Sequence, residues 1–322
     1  MKGGGPFPRP FFMRGECFRP GAIQRTLSGN PDKNNSMNPK LTNGLCLAVF
    51  QLWTGPLQAA KIRYDVKGWG GPAIRVYASR PAGLAPDRPV VFVMHGVNRN
   101  ADDYRDQWHD LAMENEFLLI VPEFSQENFP GSNGYNLGYL EDSEGNPRPG
   151  HSWSYSAIEP LFDDARRRFR MKTARYALYG HSAGSQFVHR FIFHVPSARV
   201  SQIVSANAGW YMMPDYQVAY PYGLAGSVIT PEMLSRALSL PVTILLGELD
   251  NDPDHPNLRR APEAMAQGAF RLARGQEFFR QAAAYAERAG APFNWRLEIV
   301  PGVDHNNALM APAAIPFLLS QP

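Results

Sequence analysis

Cysteine is almost absent from this chain. The only two, Cys17 and Cys46, stand near its start, so residues 61–322 have no disulfide, no thiol nucleophile and no thiolate ligand for a metal. A long apolar run is also lacking. The apolar stretch at 45–53 is too short to span a bilayer, which excludes a stable membrane anchor. The formal net charge is only +3 and no basic run occurs, so we expect no nucleic-acid partner.

The first 36 residues differ in composition from the rest of the chain. They are rich in glycine and proline, and such a segment cannot bury a core, which predicts a disordered extension over 1–36. From Met37 the sequence runs through a positively charged start, an apolar stretch and small residues that end at Ala60. That order predicts a signal peptide over 37–60 and a periplasmic or secreted protein, with either Met1 or Met37 as the true start. The alternative is an amphipathic or buried N-terminal helix of the folded domain.

The remaining sequence, 61–322, alternates between short apolar strands and helical patterns. The chain is 44% hydrophobic and 19% charged, a globular composition, and one domain fits its length. Strands are predicted at 62–66, 73–78, 90–94, 117–121, 174–179, 200–205, 242–246 and 295–300, and helices at 158–169, 262–289 and 308–319. Because strands alternate with helices, we expect an α/β fold with a mainly parallel sheet flanked by helices.

The turn Gly180-His181-Ser182-Ala183-Gly184 has the pattern G-x-S-x-G between a predicted strand and a helical pattern. This is the context of a nucleophile elbow, in which a serine on a tight turn has strained backbone angles and an exposed Oγ. The glycines leave room for neighbouring backbone to pass close by. The helix that follows directs free N–H groups at the reacting oxygen. Ser182 is therefore the candidate nucleophile, and the alternative is an ordinary glycine-rich turn.

A nucleophilic serine needs two donors for the oxyanion that its attack creates. One is predicted to be the N–H of Ala183, directly after the serine. The other is predicted to be the N–H of Val97, because a His-Gly loop at 95–96 follows a buried strand and loops of this type supply the second donor. The alternative is a plain glycine turn with a helix N-cap at Asn100 or Asp102.

A base and an acid are expected after two later strands, because active sites of open α/β sheets form at the carboxyl ends of strands. His305 follows the last strand and is the candidate base. Asp250, Asp252 and Asp254 follow the strand before it. All three stay open as the orienting acid, but Asp250 is the first past the strand and is favoured by reach. Their spacing also occurs in calcium loops, but glycine and glutamate are missing from the EF-hand positions, so we expect no metal site.

The chain resembles the α/β-hydrolase superfamily from about Ala60 to Leu319. The resemblance rests on the His-Gly loop at 95–96, the elbow at 180–184, the acid turn at 247–250, and His305, in that order. Within the superfamily the chain is similar to secreted esterases of the polyhydroxybutyrate-depolymerase and feruloyl-esterase type, although extracellular members often carry disulfides. The resemblance implies a serine esterase that transfers acyl groups to water through an acyl-enzyme, with no metal and no organic cofactor.

Aromatic and methionine side chains cluster after the strand at 200–205. Trp210 and Tyr211 are predicted to line a substrate pocket, and the alternative is core packing. No segment is long enough for a large lid, so small or medium esters, or the end of a polyester chain, are the expected substrates. Two other functions stay open. One is a serine peptidase of the prolyl-oligopeptidase type, whose usual gating domain has no counterpart here, and the other is a non-catalytic binding protein.

Overall fold

An eight-stranded sheet forms the centre of the computed structural model, which describes residues 58–320. Its strands are β1 Ala60–Val66, β2 Ile74–Arg80, β3 Val90–Met94, β4 Leu118–Glu123, β5 Tyr176–His181, β6 Val200–Ala206, β7 Val242–Gly247 and β8 Arg296–Val300. The spatial order is β1-β2-β4-β3-β5-β6-β7-β8. Strand β2 pairs antiparallel with β1 and β4, and the other neighbours pair parallel. The predicted mainly parallel α/β fold is confirmed.

Helices connect the strands and cover both faces of the sheet. They are α1 Ala101–Glu114, α2 Gly131–Gly134, α3 Ile158–Phe169, α4 Ala183–His194, α5 Pro231–Leu238, α6 Pro262–Met265, α7 Arg271–Ala289 and α8 Asn307–Leu318, with 3₁₀ turns at Gly150–Ser152 and Ser154–Ala157. The predicted extension 1–36 lies outside the described residues, and so does the predicted signal peptide 37–60 apart from residues 58–60.

Two apolar layers, one on each face of the sheet, make up the core. Every residue of β3, β5 and β7 is buried, as expected for strands covered on both faces. Alternate residues of one strand enter opposite layers: Phe92 packs in the layer with α3, α4, α5 and α7, and Val91 packs in the layer with α1 and α8. The central strands therefore hold their carboxyl ends in fixed positions.

Two features of the helices differ from the sequence prediction. The single helix expected over 262–289 is divided into α6 and α7. Gly268, with φ +149°, lies in the break, and a Cβ there would lie 3.0 Å from the side chain of Ala273, so the chain leaves and re-enters the helical conformation. Helix α5 was not predicted, and α1, which begins after Asn100, was considered only in the alternative that placed a helix N-cap at Asn100 or Asp102.

Neither a membrane-spanning helix nor a metal-binding cluster occurs in the described part of the chain. No helix between residues 58 and 320 combines the length and the apolar character that a membrane span needs. The same residues contain no group of three or more His, Cys, Asp or Glu side chains arranged to hold a metal ion.

Candidate active site

Ser182 occupies a strained turn between β5 and α4. Its backbone angles are φ 58° and ψ −117°, a region that non-glycine residues rarely adopt and that is found mainly at functional sites. The two glycines of the elbow make the turn possible. A Cβ on Gly184 would lie 2.8 Å from the carbonyl oxygen of His95 and closer still to that of Met94. The predicted strained elbow, with neighbouring backbone passing close to its glycines, is confirmed.

Three side chains that follow β5, β7 and β8 form a hydrogen-bonded line. The Oγ of Ser182, after β5, lies 3.0 Å from Nε2 of His305, which follows β8. The Nδ1 of the same imidazole lies 2.7 Å from Oδ2 of Asp250, after β7. The Asp250 side chain is 3% exposed and that of His305 is 17% exposed. Parallel strands end at the same edge of the sheet, so residues distant in sequence meet there.

The other two candidate acids lie away from His305. The carboxylate of Asp252 accepts the backbone N–H of Asp254 at 2.8 Å, and Asp254 pairs with Arg260 at 3.3 Å. Both aspartates are exposed. Of the three aspartates that stayed open on sequence, the fold brings Asp250 to the imidazole.

A buried arginine that the sequence did not indicate holds the opposite side of Asp250. Arg271, at the start of α7, donates from Nη1 to Oδ1 of Asp250 at 3.1 Å, and both side chains are only 3% exposed. Its Nη2 lies 3.0 Å from Nδ1 of His255. Burial, followed by the Arg271 charge, lowers the pKa of His255. The line of contacts therefore runs from His255 through Arg271, Asp250 and His305 to Ser182.

Two more histidines support the site in their neutral form. Burial lowers the pKa of His95 to about 3, and its Nε2 accepts the backbone N–H of Phe124 at 3.1 Å. Burial also holds the pKa of His181 well below its usual value, with the charges of His305 and Arg271 adding to the effect. The Nδ1 of His181 lies 3.2 Å from the hydroxyl of Tyr104. Without carrying charge, His95 thus fixes the chain that follows β4, and His181 contacts helix α1.

The two predicted oxyanion donors face the same cavity as Ser182. Ala183 is the first residue of α4, and the first N–H groups of a helix have no intrahelical acceptor. Val97 follows Gly96, and a Cβ added to Gly96 would lie 4.0 Å from the Cβ of Ser182. The loop that holds Val97 therefore runs beside the serine. Both residues line the cavity. Their role as donors stays a prediction.

The cavity above Ser182 has a volume of about 550 Å³, and its wall is rich in side-chain amides. These belong to Asn98, Asn100, Gln107, Asn136, Gln186, Asn257, Asn306 and Asn307. Trp210, predicted to contact substrate, lines the cavity. Tyr211 does not, which corrects the expectation for that residue: it is fully buried and stacks on Phe278 with ring centroids 4.5 Å apart. Consecutive residues of this extended loop point in different directions, so only one reaches the cavity.

Two solved structures are similar to this chain in both sequence and fold. Poly(aspartic acid) hydrolase-1 from Sphingomonas sp. KT-1 is 42% identical with a TM-score of 0.80, and the match covers 82% of this chain and 100% of that one. A poly(3-hydroxybutyrate) depolymerase from Bordetella parapertussis is 35% identical with a TM-score of 0.75, over 82% of this chain and 92% of that one. No family model and no curated protein matches the chain.

Proposed function

The chain belongs to the α/β-hydrolase superfamily and is a hydrolase, and on that premise we propose that it cleaves carboxylic esters through an acyl-enzyme formed on Ser182. The observation that carries the proposal is the hydrogen-bonded line from Ser182 through His305 to Asp250. It joins a candidate nucleophile, a base within reach of its proton and an acid behind the base, which is the arrangement that acyl transfer by serine requires.

In the proposed first half-reaction, Oγ of Ser182 attacks the acyl carbon and its proton passes to Nε2 of His305, 3.0 Å away. The imidazolium then gives that proton to the alcohol oxygen as the acyl–oxygen bond breaks, which leaves the acyl group on the serine. In the second half-reaction, water attacks the acyl carbon and its proton passes to His305. The acid leaves, and the proton returns to Oγ.

Asp250 is proposed to orient the imidazole and to stabilise its positive charge. Its Oδ2 lies 2.7 Å from Nδ1 of His305, so Nδ1 carries a proton and Nε2 is left as the acceptor for the serine hydroxyl. Arg271 holds the other carboxylate oxygen at 3.1 Å. The N–H groups of Val97 and Ala183 are proposed to stabilise the oxyanion.

The test compares Ser182→Ala with a matched control, Ser235→Ala on α5. We expect 4-nitrophenyl acetate and butyrate to be hydrolysed by the native protein and kcat to fall by about 10⁴-fold or more in Ser182→Ala, with an unchanged circular dichroism spectrum. A fluorophosphonate probe should label the native protein and the control. Labelling that persists in Ser182→Ala would contradict the assignment.

Amide cleavage by the same residues is a second candidate. The 42% identical relative is a hydrolase of poly(aspartic acid), which is a polyamide, and the 35% identical relative acts on a polyester. The amide-rich cavity wall also suits a substrate that carries peptide-like groups. A dipeptidyl 4-nitroanilide assayed beside the two esters distinguishes the candidates through the ratio of their kcat/KM values. We expect the esters to be favoured.

Export is proposed from the sequence over 37–60, whose order of charged, apolar and small residues supports a signal peptide. A periplasmic or secreted enzyme would meet small or medium esters, or the ends of polyester chains, as substrates. No metal or organic cofactor is proposed to take part.

A further inference from the structure

We propose that the cavity above Ser182 binds substrates that carry a carboxylate group, and that Arg259 is the residue that binds this group. The inference rests on the proposed function and names the substrate class of the same site. It depends on three observations: the position of Arg259, the buried charges behind it, and the chemical character of the cavity wall.

Arg259 is solvent-exposed and lines the cavity, where neighbouring residues orient its side chain. Its Nε donates to the hydroxyl of Tyr222 at 2.7 Å, and its guanidinium carbon lies 5.4 Å from the ring centroid of Trp210. Its backbone carbonyl accepts a hydrogen bond from Arg274 at 2.9 Å. Between residues 58 and 320, neither Nη of Arg259 has a protein acceptor, and no carboxylate pairs with its guanidinium. An oriented guanidinium with available donors is suited to bind a carboxylate through two hydrogen bonds.

Two fully buried arginines add positive charge behind the same wall. The guanidinium of Arg190 lies over Trp210, 4.2 Å from the ring centroid. Arg274 donates to the carbonyl oxygens of Gly209 and Arg259. Within residues 58–320 no carboxylate pairs with Arg190 or Arg274, since their acceptors are carbonyl oxygens and a methionine sulfur. Burial lowers the pKa of each to about 10, so both remain charged at neutral pH.

The unpaired charges give the cavity a positive potential. No aspartate or glutamate lines it within the described part of the chain, whereas Arg259 does; Arg271 lines it too, but its charge is compensated by Asp250. Buried charges without a counter-ion are costly for the fold, and low-dielectric walls of one sign concentrate ligands of the opposite sign. A long neutral acyl chain would require mainly apolar walls, whereas here amides and cations stand beside Val97, Trp210 and Leu258. A carboxylate on the substrate fits both the positive charge and the polar wall of the cavity.

The kinetic test uses two pairs of esters that differ in one charge. The first pair is 4-nitrophenyl monoadipate and its methyl ester, with the carboxylate on the acyl side. The second pair is 4-acetoxybenzoate and its methyl ester, with the carboxylate on the alcohol side. After correction for hydroxide-catalysed rates, we expect kcat/KM to favour the charged member of at least one pair on the order of ten-fold. That preference should shrink in 0.5 M NaCl.

Arg259→Gln should remove the preference by lowering kcat/KM for the charged ester, with the neutral ester changed less than about two-fold. The matched control is Arg260→Gln, because Arg260 is exposed like Arg259 but pairs with Asp254 and does not line the cavity. It should keep the preference. Equal kcat/KM within both pairs, or an equal loss for both members in Arg259→Gln, would overturn the inference.

A binding measurement separates this inference from the proposed function. If none of the four esters is hydrolysed, the proposed function fails, and calorimetry on the Ser182→Ala protein still tests the carboxylate site. The probes are triaspartate and triasparagine peptides, which have nearly the same shape and differ in charge. We expect triaspartate to bind on the order of ten-fold more tightly, and Arg259→Gln to abolish the difference. Equal binding, or none, refutes the site.

Discussion

Replacing Asp250 by asparagine should damage the protein in two separable ways, because this carboxylate contacts both His305 and Arg271. The Asp250 and Arg271 side chains are each 3% exposed and 3.1 Å apart. Removal of one partner from such a buried pair leaves the other charge uncompensated and costs about 3–5 kcal/mol. For a domain of this size, Asp250→Asn should therefore lower Tm by roughly 6–20 °C. It should also lower kcat by about 10⁴-fold, because an amide cannot stabilise the imidazolium.

The double variant Asp250→Asn with Arg271→Gln distinguishes the two effects. It replaces the buried ion pair by two neutral amides, which removes the uncompensated charge. We expect most of the lost free energy of unfolding to return, with a coupling energy of about 2–3 kcal/mol, while kcat stays low. Urea titration followed by tryptophan fluorescence measures stability, and hydrolysis of 4-nitrophenyl butyrate measures kcat.

The exposed pair Asp254 and Arg260 supplies the matched control. Its side chains are 88% and 54% exposed and 3.3 Å apart, and the same two substitutions there should change stability by less than about 1 kcal/mol and leave kcat unchanged. If the double variant at Asp250 and Arg271 is no more stable than Asp250→Asn, the buried pair is not coupled. If kcat recovers in that double variant, the role given to Asp250 beside His305 is wrong.

Three further predictions concern acid stability, the elbow and export. Stability should fall as pH drops from 6.5 toward 4, by up to about 5 kcal/mol per pH unit, because burial depresses the pKa of four histidines that protonate on unfolding; a flat urea midpoint would refute this. The four histidines are His95, His181, His189 and His194. Gly184→Ala should abolish ester hydrolysis because its Cβ would overlap the Met94 carbonyl, whereas Gly150→Ala, with its nearest contact at 4.0 Å, should not. N-terminal sequencing of protein from the native host should begin near Ala60 or Lys61, and an intact Met1 would argue against export.

The sequence could locate the site residues that come shortly after the end of a strand. Ser182, Asp250 and His305 each come soon after a short predicted strand, and parallel strands end at one edge of the sheet. The reach of the chain past β7 favoured Asp250, and this is the aspartate that lies 2.7 Å from His305. The roles of these residues remain proposals, but their proximity could be inferred from strand order and chain reach alone.

A helix and two side chains that do not follow the end of a strand were predicted wrongly or not at all, and each case has a physical reason. Helix α1 buries Ala101, Tyr104, Trp108 and Ala112, a helical spacing that its many charged residues obscured. Arg271 looked like any residue of a helical stretch, since no local pattern marks an arginine that will meet an aspartate 21 positions earlier. Tyr211 and Trp210 have similar apolar character, and only tertiary packing decides which of them faces the cavity.

The carboxylate of Asp250 lies between two groups that carry positive charge during the proposed reaction, Arg271 and His305. The imidazolium proposed to form on His305 gains positive charge near Arg271, in a cavity that Arg259 already makes positive. Asp250 separates these charges, with one oxygen on Arg271 at 3.1 Å and the other on His305 at 2.7 Å. A carboxylate on the substrate would bring a second negative charge into the cavity, where it offsets the charge of Arg259. The contact with Arg259 would be present in the bound ester as well as in the transition state, so the charge of the substrate should lower KM more than it raises kcat.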